Sequence, residues 1–161
     1  MAQPESAAKP ATYYFEDLHV GQRFVSRSQA MDATRMKAFA SEFDPQPFHV
    51  DEVAAQDTFF NGLAASGWHT AAVTMRLLVD GGAPAAVGGI IGAGGEIVWP
   101  QPTRAGDVLT VESEVLTLRV SRTKPDRGLV TLRSETKNQR GEVVQIFTAK
   151  LVVPTRPPAA A

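Results

Sequence analysis

Two residues with complementary proton-transfer chemistry, Asp44 and His49, stand five positions apart in the sequence FDPQPFHV. A proline ring fixes its own φ and disfavours the α region for the residue before it, so Pro45 and Pro47 predict a stiff, non-helical loop. Such a loop can hold the carboxylate and the imidazole in a set relation. Held together, the two groups can share one water, one accepting its proton while the other delivers a proton elsewhere.

A helix is predicted to begin just downstream, at Gly67. Ser66 is a favourable N-cap for it, and apolar residues recur at helical spacing at Trp68, Ala71, Ala72, Met75 and Val79. The first N–H groups of a helix have no partner within the helix, and Gly67 has no side chain to keep a ligand away from them. This terminus is therefore predicted to stabilise a carbonyl oxygen that gains negative charge.

These residues carry a resemblance to a known family. The D-x-x-x-x-H pattern, followed by Asp51-Glu52 and by FFNGLAASGWHT opening a helix, resembles the MaoC-like hydratase/dehydratase family. The R-specific enoyl-CoA hydratases of that family use a loop with an Asp and a His five residues apart. The resemblance continues through Trp99-Pro100, PTRAGD and NQRG, and it covers roughly residues 14 to 154.

The chain differs from the better-known hydratases at two places. They have Asn-Pro between the two catalytic residues, where this chain has PQPF. They have a histidine–glycine pair where this chain has Ser66-Gly67.

The resemblance implies an α+β domain with a single hotdog fold, in which an antiparallel sheet wraps around a long central helix. We place this domain at residues 13–154, with mobile tails at 1–12 and 155–161. A curved sheet leaves exposed edges that two-fold pairing removes, so we expect a homodimer or a higher oligomer with the cavity near its interface.

The implied activity is reversible hydration of an enoyl thioester, or dehydration of a 3-hydroxyacyl thioester. Asp44 and His49 would be the catalytic pair, with Ser66, Gly67 and Trp68 at the site of the thioester oxygen. Which of Asp44 and His49 makes each proton transfer stays open. Coenzyme A would enter as part of the substrate, and no metal or other cofactor is expected.

Further candidate ligand contacts lie on either side of the helix. Phe59 and Phe60 either pack in the core, which we favour, or line an acyl pocket. A predicted hairpin loop carries Arg122, Lys124 and Arg127, which are candidates for contact with coenzyme A phosphates. The alternative interpretation, a solvated loop without a ligand, stays equally open. His69, one turn inside the helix, is predicted to be a core or interface residue.

Two other functions compete with hydration. A hotdog acyl-CoA thioesterase would place a carboxylate on the central helix, and residues 67–79 contain none. A non-catalytic acyl-CoA-binding module would have no use for an Asp and a His fixed in one loop. Both observations favour the hydratase hypothesis.

Composition restricts the remaining function classes. The 161 residues suit one domain, and the absence of cysteine excludes thiol catalysis and disulfides. A formal net charge of −1 offers no general attraction to nucleic acid or to an anionic membrane. No apolar run suits a signal or a membrane span, so we expect a cytoplasmic protein.

The second half of the sequence has the pattern of strands. Glycines between Val87 and Trp99 predict a strand in close contact with the central helix. From Val108 to Val120 the apolar residues change parity part-way, which predicts a bulge or a strong bend.

Overall fold

The computed structural model describes residues 12–159. Most of the predicted N-terminal tail, residues 1–11, and residues 160 and 161 of the C-terminal tail lie outside this range. Thr155 and Arg156, predicted to belong to the C-terminal tail, donate backbone hydrogen bonds to the Asp126 carbonyl and the Glu16 carboxylate. Within the described range no helix is long and apolar enough to cross a membrane.

The first half of the chain contains short strands and all the α-helices of the described range. In order these are β1 (Thr12–Tyr13), a 3₁₀ turn (Phe15–Asp17), β2 (Arg23–Val25), β3 (Gln29–Ala30), α1 (Ala33–Phe43), α2 (Pro47–Val50), a 3₁₀ turn (Ala54–Asp57) and α3 (Gly67–Leu77), which continues into a π-helical turn (Leu78–Gly82). The predicted non-helical loop is wrong at His49, which lies in the single turn α2. Proline occupies its first position, where the missing N–H costs no hydrogen bond and the fixed φ suits a helix.

The second half forms most of the sheet. Its strands are β4 (Ala85–Ala86), β5 (Ile91–Val98), β6 (Val108–Val120), β7 (Arg127–Lys137) and β8 (Val143–Pro154). The antiparallel order is β2–β6–β7–β8–β5, β3 also pairs with β6, and β1 and β4 form a separate parallel pair. The register between β6 and β7 shifts between Val115 and Thr117, which confirms the predicted bulge.

The glycines of β5 allow this strand to pair closely with β8. The register of that pair shifts between Gly92 and Gly95. A Cβ added to Gly95 would lie 2.7 Å from the Thr148 carbonyl oxygen and 2.8 Å from the Phe147 ring. The predicted close contact with the central helix is therefore wrong at this glycine, because the neighbouring strand fills the space.

Helix α3 packs on the sheet and on the loop between β5 and β6 through a face that carries hydroxyl groups. Thr70 Oγ1 donates to Thr103 Oγ1 at 3.0 Å, and the hydroxyls of Thr74 and Thr136 lie 2.7 Å apart. Because buried hydroxyls that bond one another are satisfied, this face can be buried at little cost. Leu77 completes it in the core.

The opposite face of α3 carries the predicted apolar stripe, and much of that stripe is exposed. Trp68 is 59% exposed, Met75 43% and Val79 54%. The predicted central helix is therefore not covered on this side by its own chain. The stripe leaves an apolar surface uncovered.

Candidate active site

Asp44 and His49 are brought together by the end of α1 and the turn α2. The His49 Nε2 and Asp44 Oδ2 atoms are 3.4 Å apart, and the two side chains are 6% and 18% exposed. His49 Nδ1 lies 2.7 Å from the Ala64 carbonyl oxygen. Because a carbonyl oxygen only accepts, Nδ1 carries a proton, and Nε2 of the neutral ring presents its lone pair towards Asp44.

The Asp44 carboxylate accepts two further hydrogen bonds. Gln46 Nε2 donates to Oδ1 at 2.6 Å, and Ser66 Oγ donates to Oδ2 at 2.7 Å. Burial is the largest single influence on the pKa of Asp44 and raises it, but the donors Gln46 and Ser66, with the nearby His49, outweigh burial and hold that pKa below its usual value. Asp44 is therefore ionised at neutral pH and can accept a proton.

Ser66 caps α3 as predicted, and its hydroxyl also donates a hydrogen bond to the Asp44 carboxylate. Its Oγ accepts a hydrogen bond from the Trp68 N–H at 3.3 Å while donating to Asp44. The residue is fully buried. Its hydroxyl is thereby committed to holding Asp44 and is not a free ligand for a substrate oxygen, the role predicted for it.

The N-terminus of α3 opens into a cavity of about 390 Å³. Among the described residues, the Gly67 N–H has no hydrogen-bond acceptor. Polar groups and aromatic rings both line the cavity; its main members are Asp44, His49, Phe60, Gly67, Trp68, Thr70, Trp99 and Thr103. The predicted pair, the helix terminus and one predicted aromatic residue thus share one space.

Only one of the two predicted aromatic residues reaches the cavity that holds Asp44 and His49. Phe60 lines the cavity, and its ring centroid lies 6.0 Å from that of His49. Phe59 is fully exposed and lines only a second, open cavity, to which Phe48 and Phe60 also contribute. Core packing is therefore wrong for Phe59, and its role in an acyl pocket stays a prediction.

The basic hairpin lies at the other end of the sheet from the cavity. The Trp99 indole at the cavity donates a hydrogen bond to Gln145 of β8, and Gln145 pairs with Thr136 of β7. Arg127, at the hairpin, is the first residue of β7 and precedes Thr136 by nine residues. Nine residues of strand span roughly 30 Å. The structure therefore does not bring Arg122, Lys124 and Arg127 to the cavity of their own chain, and Arg127 pairs with Asp126.

Sequence reasoning missed the residues that support the site from a distance. The Arg104 guanidinium donates to the carbonyl oxygens of Phe60, Gly62 and Leu63, and so fixes the segment that carries Phe60. Arg104 belongs to the PTRAGD turn, which in the sequence contributes only to the family resemblance. No local pattern connects this turn to a segment more than forty residues earlier.

His69 is buried, as predicted. Its ring stacks on Phe39 at a centroid distance of 4.7 Å. Within residues 12–159 its buried Nδ1 has no hydrogen-bond partner. Burial first, and then the nearby charge of Arg35, lower the pKa of His69, so the ring is neutral at physiological pH.

Comparison with known proteins agrees with the geometry. The model of the MaoC-like domain family matches residues 17–138. The chain belongs to the MaoC-like family. A crystal structure of a MaoC-like dehydratase from Rhodospirillum rubrum is 60% identical, covers 90% of this chain and 99% of its own, and superimposes with a TM-score of 0.87.

Other MaoC-like relatives bear names that include a reaction. A protein named (R)-specific enoyl-CoA hydratase from R. rubrum is 30% identical over 150 residues, 89% of this chain and 94% of that protein. The solved (R)-hydratase from A. caviae, described as involved in PHA biosynthesis, is 27% identical with a TM-score of 0.68 and covers 86% of this chain and 99% of its own. The α+β architecture is thus a hotdog fold, as the resemblance implied.

Proposed function

We propose that this MaoC-like protein catalyses the reversible hydration of an enoyl thioester, or the reverse dehydration of a 3-hydroxyacyl thioester. The observation that carries the proposal is the facing of His49 Nε2 and Asp44 Oδ2 across 3.4 Å at the edge of a cavity. The bond from Nδ1 to the Ala64 carbonyl leaves Nε2 free for chemistry. The names of the relatives support the same class of reaction.

In the hydration direction, Asp44 takes a proton from a water as the water oxygen attacks the β-carbon. The C=C bond breaks, and its electron pair passes towards the thioester oxygen, which the Gly67 N–H binds as it becomes enolate-like. Asp44 passes this proton to Nε2 of His49, and Nε2 delivers it to the α-carbon. One water has then been added across the double bond, and Asp44 and His49 have returned to their starting protonation states.

The carrier of the acyl group is proposed to be coenzyme A, and the protein a homodimer. The strand β5 is one end of the sheet order and carries exposed Ile91 and Val98. Antiparallel pairing of two copies along β5 would place the hairpin end of one sheet beside the cavity of the other. Arg122 and Lys124 would then meet the phosphates of a ligand bound to the second copy.

The test is incubation with crotonyl-CoA while the enoyl-thioester absorbance and free thiol are followed together. Hydration removes the absorbance without releasing thiol, and Asp44→Asn should abolish this loss. Release of free coenzyme A would indicate the rival thioesterase activity, and binding with neither change would indicate a non-catalytic module. Longer and branched enoyl thioesters belong in the same panel, because the acyl length is not specified by the residues above.

A further inference from the structure

The Trp99 indole is held from three directions at the wall of the cavity. Its Nε1 donates to Gln145 Oε1 at 2.8 Å. A Cβ added to Gly67 would lie 2.8 Å from its Cε2 atom, so the ring rests on that glycine. The Trp68 ring meets it edge-on, with centroids 5.4 Å apart and planes at 81°. Trp99 is 40% exposed, yet its orientation is determined.

Gln145 is an unusual residue for its place in the core. It is 1% exposed, and within the described range its Nε2 has no hydrogen-bond partner. A buried amide with one end unpaired is unfavourable for folding, and an apolar residue of similar size would avoid this cost. Among residues 12–159, the amide of Gln145 makes one side-chain hydrogen bond, to Trp99, and this bond orients the indole.

The position of this indole has a consequence for the substrate. Under the proposed function, the Gly67 N–H binds the thioester oxygen, so the carbonyl carbon lies next to Gly67. The atoms bonded to that carbon are the sulfur and the α-carbon. With the α-carbon placed on the Trp99 side of the thioester carbonyl, the ring that covers Gly67 occupies the space that a substituent on the α-carbon would need.

We propose that Trp99, oriented by Gln145, is a specificity-determining residue that excludes α-substituted enoyl thioesters. This inference rests on the proposed function. The preferred substrates carry hydrogen at the α-carbon, while the distal acyl chain is not controlled by this residue. An enzyme pocket discriminates against one added methyl or methylene group by about 10- to 200-fold, which sets the scale of the effect.

The experiment compares kcat/KM for crotonyl-CoA with kcat/KM for 2-methylcrotonyl-CoA, which differ by one α-methyl group. The ratio of the two values in one preparation does not depend on the fraction of folded protein. We expect Trp99→Ala and Trp99→Leu to shift the ratio at least tenfold towards the methylated substrate, and Gln145→Met to shift it in the same direction. Phe59→Leu, an aromatic truncation outside the cavity, should leave the ratio unchanged.

A second ratio separates this role from a general loosening of the site. The preference between 2-octenoyl-CoA and crotonyl-CoA should change less than threefold in the Trp99 variants. If one Trp99 variant fails to fold, the other and Gln145→Met still decide the question. A methyl ratio within twofold of wild type in the folded variants would overturn the inference, as would an equal shift in both ratios.

Binding of unreactive thioesters distinguishes failure of this inference from failure of the proposed function. By calorimetry, the wild-type protein should bind butyryl-CoA at least tenfold more tightly than 2-methylbutyryl-CoA. Trp99→Ala should reduce this ratio of dissociation constants. If this holds while no enoyl thioester is hydrated, the proposed function is wrong and the steric role of Trp99 stands. If the wild-type protein hydrates crotonyl-CoA but shows no discrimination in binding or turnover, the inference is wrong. If the wild-type protein binds neither saturated thioester, the inference about Trp99 is also wrong.

Discussion

Ser66 Oγ donates a hydrogen bond to Asp44 Oδ2 at 2.7 Å, and Ser66 is completely buried. The residue that caps α3 therefore also holds the carboxylate at the end of α1. This contact joins the two parts of the candidate site, the acid–base pair and the helix terminus. Ser66 thus holds the carboxylate from the position at which the better-known hydratases have the histidine of their histidine–glycine pair.

Replacing Ser66 by alanine should move the pH dependence of activity. Ser66 is one of the donors that hold the pKa of Asp44 below its usual value, so its loss raises that pKa. A base with a raised pKa is protonated at higher pH, and the acidic limb of kcat/KM should shift upwards. Ser41→Ala, which removes an exposed hydroxyl bonded to the Lys37 carbonyl, is the matched control. An acidic limb that stays in place, or moves down, would contradict the role of Ser66.

Asp44→Asn and His49→Ala should each lower kcat by roughly 10²- to 10⁴-fold, the usual contribution of a general acid or base. Because both groups act on one water, the double variant should be little worse than either single one. Thermal unfolding should change slightly for Asp44→Asn, since asparagine keeps the shape of the side chain. Its Oδ1 can accept from Gln46, and its Nδ2 can donate to the Ser66 hydroxyl once that hydroxyl turns. If this variant were active but melted many degrees lower, Asp44 would be a structural cap of α1.

Arg104→Lys should damage both stability and substrate affinity, although it keeps the charge. The guanidinium donates to three backbone carbonyls at once, a fork that a lysine ammonium cannot match. We expect a loss of roughly 2 kcal/mol of unfolding free energy, measured in urea, and a raised KM because Phe60 is released. Arg76→Lys, at an exposed pair with Asp80, should leave both values near wild type. Wild-type KM and stability in Arg104→Lys would refute the assignment.

His69→Leu should reduce the acid sensitivity of folding. The pKa of His69 is lowered in the folded state, so between that value and the unfolded value of about 6.5 the unfolded chain binds more protons. The stability due to neutral His69 is complete above about pH 6.5 and is lost as the pH falls through this window. Urea unfolding at pH 7.5 and pH 5.5 should therefore show a smaller pH-dependent loss in the variant, with similar kcat. An unchanged loss would show that His69 is not the titrating group.

The exposed stripe of α3 should be covered in a homodimer. Sedimentation should give about twice the chain mass, because an apolar face of this kind favours burial against a second copy. Met75→Glu and Val79→Glu should shift the protein towards monomer at micromolar concentration. Val20→Glu, at a similarly exposed turn, is the control. Wild-type protein that sediments as a monomer at low micromolar concentration would exclude the dimer.

Short-range features of this protein were predictable from the sequence. Asp44 and His49 lie close together because five residues with two prolines allow the backbone few paths, although one of these paths proved to be a turn of helix. The Ser66 cap and the bulge in β6 are equally local. In each case the residues that decide the geometry are neighbours along the chain.

Contacts between distant segments were decided only by the tertiary structure. The exposed apolar side of α3 could not be foreseen from its spacing, because the buried side is decided by the hydroxyls of Thr70 and Thr74. They are satisfied against the loop after β5 and against β7. The bond from Ser66 to Asp44, the indole of Trp99 on Gly67, and the far position of the basic hairpin all depend on how the helices pack on the strands. The sequence by itself determined which groups could do chemistry, and packing determined which of them share a cavity, since burial and long-range hydrogen bonds are satisfied for the whole fold together.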